Sequence, residues 1–213
     1  QGPKAEQVMS QVFGEDVCSI KFFRFAKLSF KNHELIVARS GWSKQGGFEI
    51  YLDEPSLALD LWDKIWEAGE AYDIFAGCPN GIERIEGGLL SYGNDMSTET
   101  TPYECGLGKY VNLDADIDFI GRSALESANH LGLGKRVCNI SLSEKVPSPV
   151  LEPWEILSRE GAKIGRVTSG CNSQKYPGFV GIAMVDKTHW DNGTSVVVRS
   201  PHGDYEATIS SFD

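Results

Sequence analysis

The sequence holds no CxxC pair. Its five cysteines stand at Cys18, Cys78, Cys105, Cys138 and Cys171, an odd number at wide spacings. That pattern suggests neither a zinc knuckle nor a disulfide framework, and leaves free buried thiols as the expectation. The four histidines, His33, His130, His189 and His202, show no ligand spacing among themselves, so no metal is assigned. Basic residues are also scarce. Twenty Lys and Arg stand against thirty Asp and Glu, for a net charge of -10. A nucleic-acid partner needs a clustered basic face that displaces counterions, so this balance points to small ligands or other proteins. No run of about 18 apolar residues exists to span a bilayer. The opening QGPKAEQVMS lacks the basic and then apolar order of a signal peptide, which points to the cytoplasm. Ser-His-Asp order, H-E-x-x-H and a strand-anchored G-x-G-x-x-G are all missing, which removes support for hydrolase, zinc-protease and dinucleotide readings.

What is present is a mixed α+β chain, 41% hydrophobic and 10% aromatic, enough for one large core or two modest ones. Pro3 can open a helix carrying Val8, Met9, Val12 and Phe13 on one face, closed by Gly14. Strand-like runs follow at residues 19–25 and 34–39, the second joined to 48–52 by a loop of small and polar residues. Ser56 is expected to cap a helix striped by Leu57, Leu61, Trp62, Ile65 and Trp66, with both tryptophans in the core. Pro79 and Asn80 can open another helix, with Ile82, Ile85, Leu89 and Leu90 on one side, and residues 121–130 a third. From Arg136 onward the texture changes to short alternating runs, RVCNISLS, KIGRVTS, FVGIAMV, TSVVVRS and DYEATIS, separated by turn signals. A small closed barrel would hide the edges of such strands. The boundary is expected near residue 133, giving an α+β region over 1–133 and an all-β domain over 134–213.

Three side chains invite a functional reading. Glu49 lies among Phe48, Ile50 and Tyr51, so it either points to water or faces inward and must find donors. Trp42, in a loop flanked by glycines, is either a lid over the core or a flat wall for a ring or a cation. Arg199 ends the run Val196–Val198 and reads equally as a solvated strand terminus. Arg84 and Glu86 read as an ordinary surface pair.

The ordered motifs QGPKAEQV (1–8), RSGWSKQGGFEIYL (39–52), ERIEGGLLSYGNDM (83–96), TTPYECGLGKYVNLD (100–114), DFIGRSALE (118–126), GRVTSGCNS (165–173) and VGIAMV (180–185) resemble the folate-dependent aminomethyltransferase family, which contains the T-protein of the glycine cleavage system. The resemblance covers nearly the whole chain. It implies two intertwined α+β domains around a central folate channel, followed by a small β-barrel. It also implies an N-terminal portion absent from this chain, including the acidic residue the family uses close to folate N5, so no catalytic residue is named. In the family an aromatic residue and a glutamate seven positions later flank the loop between 34–39 and 48–52, the glutamate bonding the pteridine edge; these positions match Trp42 and Glu49, with Glu49 held in a dry channel, and a channel-facing arginine of the C-terminal domain matches Arg199. Tetrahydrofolate is the implied cofactor.

Two departures bear on the substrate. Glycine-cleavage members usually carry Tyr-Thr-Gly-Glu-Asp where this chain has Trp42-Ser43-Lys44-Gln45-Gly46, and an arginine where it has Asn80. The combination WSKQGG with CPNGIERIEGGLLSYGNDM is most similar to the dimethylsulfoniopropionate demethylase branch, in which a sulfonium methyl passes to tetrahydrofolate. Aminomethyl transfer, with the carbon arriving on a lipoyl arm, and folate binding without turnover are the alternatives. The implied partners are a small-molecule methyl donor and the N-terminal portion of the same protein. A segment of this length made alone is expected to be inactive and prone to self-association.

Overall fold

A computed structural model describes residues 1–77, 81–147 and 149–212. The chain divides into two compact units, Gln1–Glu83 and Arg84–Asp213. Each is described by itself.

The first unit begins with helix α1, Ala5–Phe13, whose Val8 and Met9 are buried. Gly14, at φ 83°, ends it and leads into a 3-10 turn over Glu15–Ser19. Strands β1 (Phe25–Phe30), β2 (His33–Ala38) and β3 (Glu49–Tyr51) form an antiparallel sheet in the order β1-β2-β3. Lys31 and Asn32 both adopt positive φ, 47° and 64°, the requirement of a two-residue hairpin loop whose twist matches its strands. The strand expected over 19–25 therefore lies later in the chain. Its aromatic residues read as extended, but Phe23 sits at φ 58°, outside the β region, and breaks the run. Helix α2, Ala58–Gly69, follows a short 3-10 turn over Pro55–Leu57. Ser56 does not cap α2: Leu57 stands at its N-cap position with no side-chain cap, and Glu54 caps the preceding 3-10 turn, its carboxylate accepting from the Ser56 amide at 3.2 Å and hydroxyl at 2.6 Å.

Period-two alternation decides which face of this sheet is covered. Phe30, Leu35 and Leu61 form one buried cluster with Phe13, Ile50 and Ile65 against it, and Met9, Val17, Ile20 and Val37 form another. The opposite face carries Phe25, Ile36 and Tyr51, which are 64%, 40% and 57% exposed. Trp62 and Trp66, expected in the core, are instead 55% and 36% exposed and stack on each other at 5.9 Å between ring centroids. The apolar stripe of α2 is narrower than its sequence suggests. Leu61 fills the contact with the sheet and the indoles lie beside it.

The second unit includes Arg84–Glu86 of the short helix α3 (Gly81–Glu86), helix α4 (Arg122–Leu131) and six strands. Pro79 and Asn80, expected to open α3, lie outside the described residues. The strands are β4 (Lys135–Leu142), β5 (Trp154–Leu157), β6 (Lys163–Asn172), β7 (Phe179–Asp186), β8 (Ser195–Ser200) and β9 (Gly203–Ser210). They close into a barrel in the order β4-β7-β6-β5-β8-β9, which leaves no free edge between the first and last strands. Ile140, Ile156, Val167, Phe179, Val198 and Ile209 belong to its core cluster. Gly170 is required for close packing: a Cβ there would lie 2.1 Å from the ring tip of Phe179. On strands β4 and β7, Val137, Ile182 and Met184 form a second cluster with Leu90 and Phe212, so both strands carry apolar residues on both faces.

Candidate functional site

The loop between β2 and β3 is held from three sides within the first unit. The Gln1 side-chain amide donates to the carbonyls of Ser40 at 3.2 Å and Phe48 at 3.1 Å, pinning the two ends of the loop together. Its oxygen accepts from the Ser43 hydroxyl at 3.2 Å, and the Gly2 amide donates to the Gly46 carbonyl at 2.9 Å. A Cβ on Gly41 or Gly47 would run into the Gln1 side chain, so these two glycines make room for Gln1. Arg39 anchors the loop base: its guanidinium donates to the carbonyls of Cys18 and Ile20, pairs with Glu6 and lies 5.6 Å from the centroid of the Phe48 ring.

Glu49 stands in register with Ala38, on the face of the sheet that also carries Phe25, Ile36 and Tyr51. It is exposed, and its carboxylate accepts a hydrogen bond from the Ser40 hydroxyl. The dry setting implied by the family resemblance is therefore not supplied by this unit. Trp42 is 41% exposed at the loop tip, and Ser43 beside it is buried. The structure thus brings Trp42 and Glu49 to the two limbs of one pinned loop. Ser40 and Gln1 are the additions that sequence reasoning missed. Only their place within the RSGWSKQGG and QGP motifs marked them.

Arg199 belongs to the other unit. It lies exposed on the β8–β9 hairpin, where its guanidinium fork grips Asp204 through Nε at 3.0 Å and a terminal nitrogen at 2.9 Å. Asp204 raises the pKa of Arg199, and Arg199 in turn holds the Asp204 carboxyl below its ordinary range. A ligand carboxylate at Arg199 would compete with Asp204 for that fork.

The strongest polar cluster in the second unit is one the sequence disguised. Arg84 and Asp95 are both buried, and their ion pair is 2.7 Å long. Asp95 also accepts from the Ser91 amide at 2.8 Å and from the hydroxyls of Thr168 and Ser169, each at 2.6 Å. Arg84 reaches Ser169 at 2.7 Å and the Leu89 carbonyl at 2.7 Å. Glu86 accepts from the Ser173 hydroxyl at 2.6 Å and the Gln174 amide at 3.0 Å. So Arg84 and Glu86 are not the surface pair expected; each ties α3 to strand β6 or to the turn after it. A cavity of about 670 Å³ lies beside Glu86, Tyr176, Ser141 and Thr208, and Arg199 is not among its lining residues.

The three buried thiols among the described residues are not activated nucleophiles. Cys105, Cys138 and Cys171 are buried, and burial pushes all three upward, Cys171 to about 11 with Glu86 adding to the effect. Cys18 is half-buried, and Cys78 lies outside the described residues. Among the described residues no helix is long and apolar enough to cross a membrane.

A folded α+β unit carrying a pinned loop, followed by a unit built on a closed six-stranded barrel, defines a two-part α+β and β-barrel fold class. The sequence places the chain within it: residues 1–115 match the GCVT N-terminal domain, and residues 135–212 match the glycine cleavage T-protein C-terminal barrel domain. The chain belongs to this glycine cleavage T-protein family. It is 46% identical to the dimethylsulfoniopropionate demethylase DmdA of Ruegeria pomeroyi, over 98% of this chain and 56% of that protein. It is 34% identical to an aminomethyltransferase of Caldanaerobacter subterraneus subsp. tengcongensis, over 93% of this chain and 52% of that protein. The crystal structure of the glycine cleavage system aminomethyltransferase T from Bartonella henselae shares its fold, with a TM-score of 0.82 at 24% identity over all of this chain and 58% of that one. The chain spans slightly more than half the length of these relatives.

Proposed function

We propose that the protein transfers a methyl group from dimethylsulfoniopropionate to tetrahydrofolate, with residues 1–133 contributing part of the folate-binding region and residues 134–213 the barrel domain. The observation that carries this reading is the pinned loop with Trp42 at its tip and the Glu49 carboxylate at its end, in a chain 46% identical to a dimethylsulfoniopropionate demethylase. The donor set fits a pterin. A ring edge rich in N–H groups calls for a carboxylate acceptor, and each charge-assisted bond contributes roughly 1.5–3 kcal/mol. Glu49 is that acceptor, and Trp42 supplies a flat wall, against either the pterin or the sulfonium cation, the latter contact worth on the order of 1 kcal/mol.

Bound tetrahydrofolate would supply the nucleophilic N5 that takes the methyl. The chain's own residues bind and orient: Glu49 fixes the ring edge and Trp42 limits its tilt, while in the barrel unit, taken by itself, Arg199 is a candidate holder of a carboxylate if Asp204 releases it. Alignment and exclusion of water account for the rate, without a covalent protein nucleophile. The Glu49 face of the sheet is open in this chain, so the channel takes its opposite wall from the part of the family fold that the chain does not span. The 213 residues alone are inactive on this reading.

Identity of 32–35% to proteins named aminomethyltransferase supports the second reading, one-carbon transfer from a lipoyl arm. Incubating the full-length protein with tetrahydrofolate and dimethylsulfoniopropionate, and separately with lipoyl carrier protein and ammonia in the reverse direction, decides between them. Formation of 5-methyltetrahydrofolate and a thioether supports demethylation. Methyl-donor inertness with turnover in the second assay supports the alternative, and tight folate binding with neither reaction leaves a folate-binding protein.

A further inference from the structure

We infer that Ser40 is the positioning residue that aims Glu49 at its ligand. The inference rests on the folate reading of Glu49 and adds how that carboxylate is held. An exposed glutamate samples many rotamers, and binding must then oppose the entropy of selecting one. Here the Ser40 hydroxyl donates to Glu49 Oε2, across a pair of strand ends whose register, Ala38 opposite Glu49, sets the two residues side by side. That bond occupies one carboxylate oxygen and leaves Oε1 for the donor edge of the ligand.

Ser40 is itself fixed. Its carbonyl accepts from the Gln1 amide, which also holds Phe48, the residue before Glu49. Arg39, the residue before Ser40, is locked by the carbonyls of Cys18 and Ile20 and by Glu6. Both ends of the Ser40–Glu49 contact are thus tied to backbone that cannot drift independently. A hydroxyl on such a frame sets orientation at little entropic cost, because the frame is ordered before the ligand arrives.

The test uses the full-length protein and calorimetric titration with tetrahydrofolate, on Ser40→Ala, Ser40→Thr, Glu49→Gln and the Ser40→Ala/Glu49→Gln pair, each checked for an unchanged melting temperature. Ser40→Ala should weaken binding about tenfold, Ser40→Thr should restore most of it, and Ser40→Ala should add little on top of Glu49→Gln. A merely structural Ser40 would lower the melting temperature and weaken binding equally in both backgrounds, which overturns the inference. Wild-type affinity in Ser40→Ala beside a weakened Glu49→Gln overturns it too, while leaving the Glu49 reading intact. Wild-type affinity in Glu49→Gln sinks that reading and this inference together.

Discussion

Two carboxylates in this chain are solvated in opposite ways, and the contrast separates scaffold from site. Asp95 is buried and receives four hydrogen bonds, from Arg84, Ser91, Thr168 and Ser169. Removing either member of its ion pair strands a buried charge, so Asp95→Ala or Arg84→Ala should lose about 3–5 kcal/mol, read as a lowered midpoint in urea denaturation. Glu49 is exposed and is held by Ser40. Glu49→Gln should leave that midpoint within about 0.5 kcal/mol, as surface substitutions do. It should weaken tetrahydrofolate binding by the full-length protein about tenfold to a hundredfold, the equivalent of one charge-assisted bond. The residues alone left Glu49 between water and an inward setting, only the family resemblance implied a dry one, and no sequence signal singled out Asp95. Arg84 finds its partners 11 and 85 residues away, and no local spacing announces them. Glu49 was marked by a motif, and the motif carries no information about which face of the sheet is covered.

Among elements, the barrel strands were the most readable, as short runs of strand-forming residues between turn signals, with the period-two alternation of a half-buried strand clearest in β8 and β9. Five of the six strands stand out as such runs; β5, four residues beginning just after Pro153, is too short to show the period. Strand β6 adds a feature no pattern displays. Its register with β7 shifts between Val167 and Ser169, so the inserted Thr168 and its neighbour Ser169 both reach Asp95, although consecutive residues of a regular strand point to opposite faces. Thr168→Val should therefore cost about 1.5–3 kcal/mol, the loss of a hydrogen bond to a buried carboxylate, measured by thermal denaturation. The turn that follows β6 gives a pH dependence. Burial acts to raise the Glu86 carboxyl, but the Ser173 hydroxyl, the Gln174 and Lys175 amides and the Lys175 charge outweigh it and leave its pKa below the ordinary 4.5. A depressed carboxyl stabilises fully above its unfolded value and loses that contribution as pH falls through the folded one. Glu86→Gln should accordingly destabilise the chain by about 1 kcal/mol at pH 7, with the difference from wild type closing as the pH falls below the ordinary 4.5. A gap that persists unchanged at pH 3 would contradict the role given to this carboxylate.

For the molecule as a whole, the open face of the β1-β2-β3 sheet matters most. A soluble monomer rarely leaves a large contiguous apolar patch to water, yet this face presents Phe25, Ile36 and Tyr51 around the carboxylate assigned to the ligand. Phe22 and Phe23, also exposed, lie just before β1 with their ring centroids 4.2 Å apart and their planes tilted by 45°. The chain spans 56% of the length of its demethylase relative. If the rest of the family fold covers this face, it completes the ligand channel and hides the aromatics in one step, and the two properties should fail together. Residues 1–213 alone should then bind tetrahydrofolate at least about a hundredfold more weakly than the full-length protein, and sediment as species larger than a monomer at micromolar concentration. Phe25→Ser combined with Tyr51→Ser should reduce that association without rescuing binding, because it removes the adhesive surface and leaves the channel one-sided. Tight binding by a monomeric 213-residue chain would show instead that the loop, Glu49 and Trp42 suffice without a second wall, and that the open face has another use.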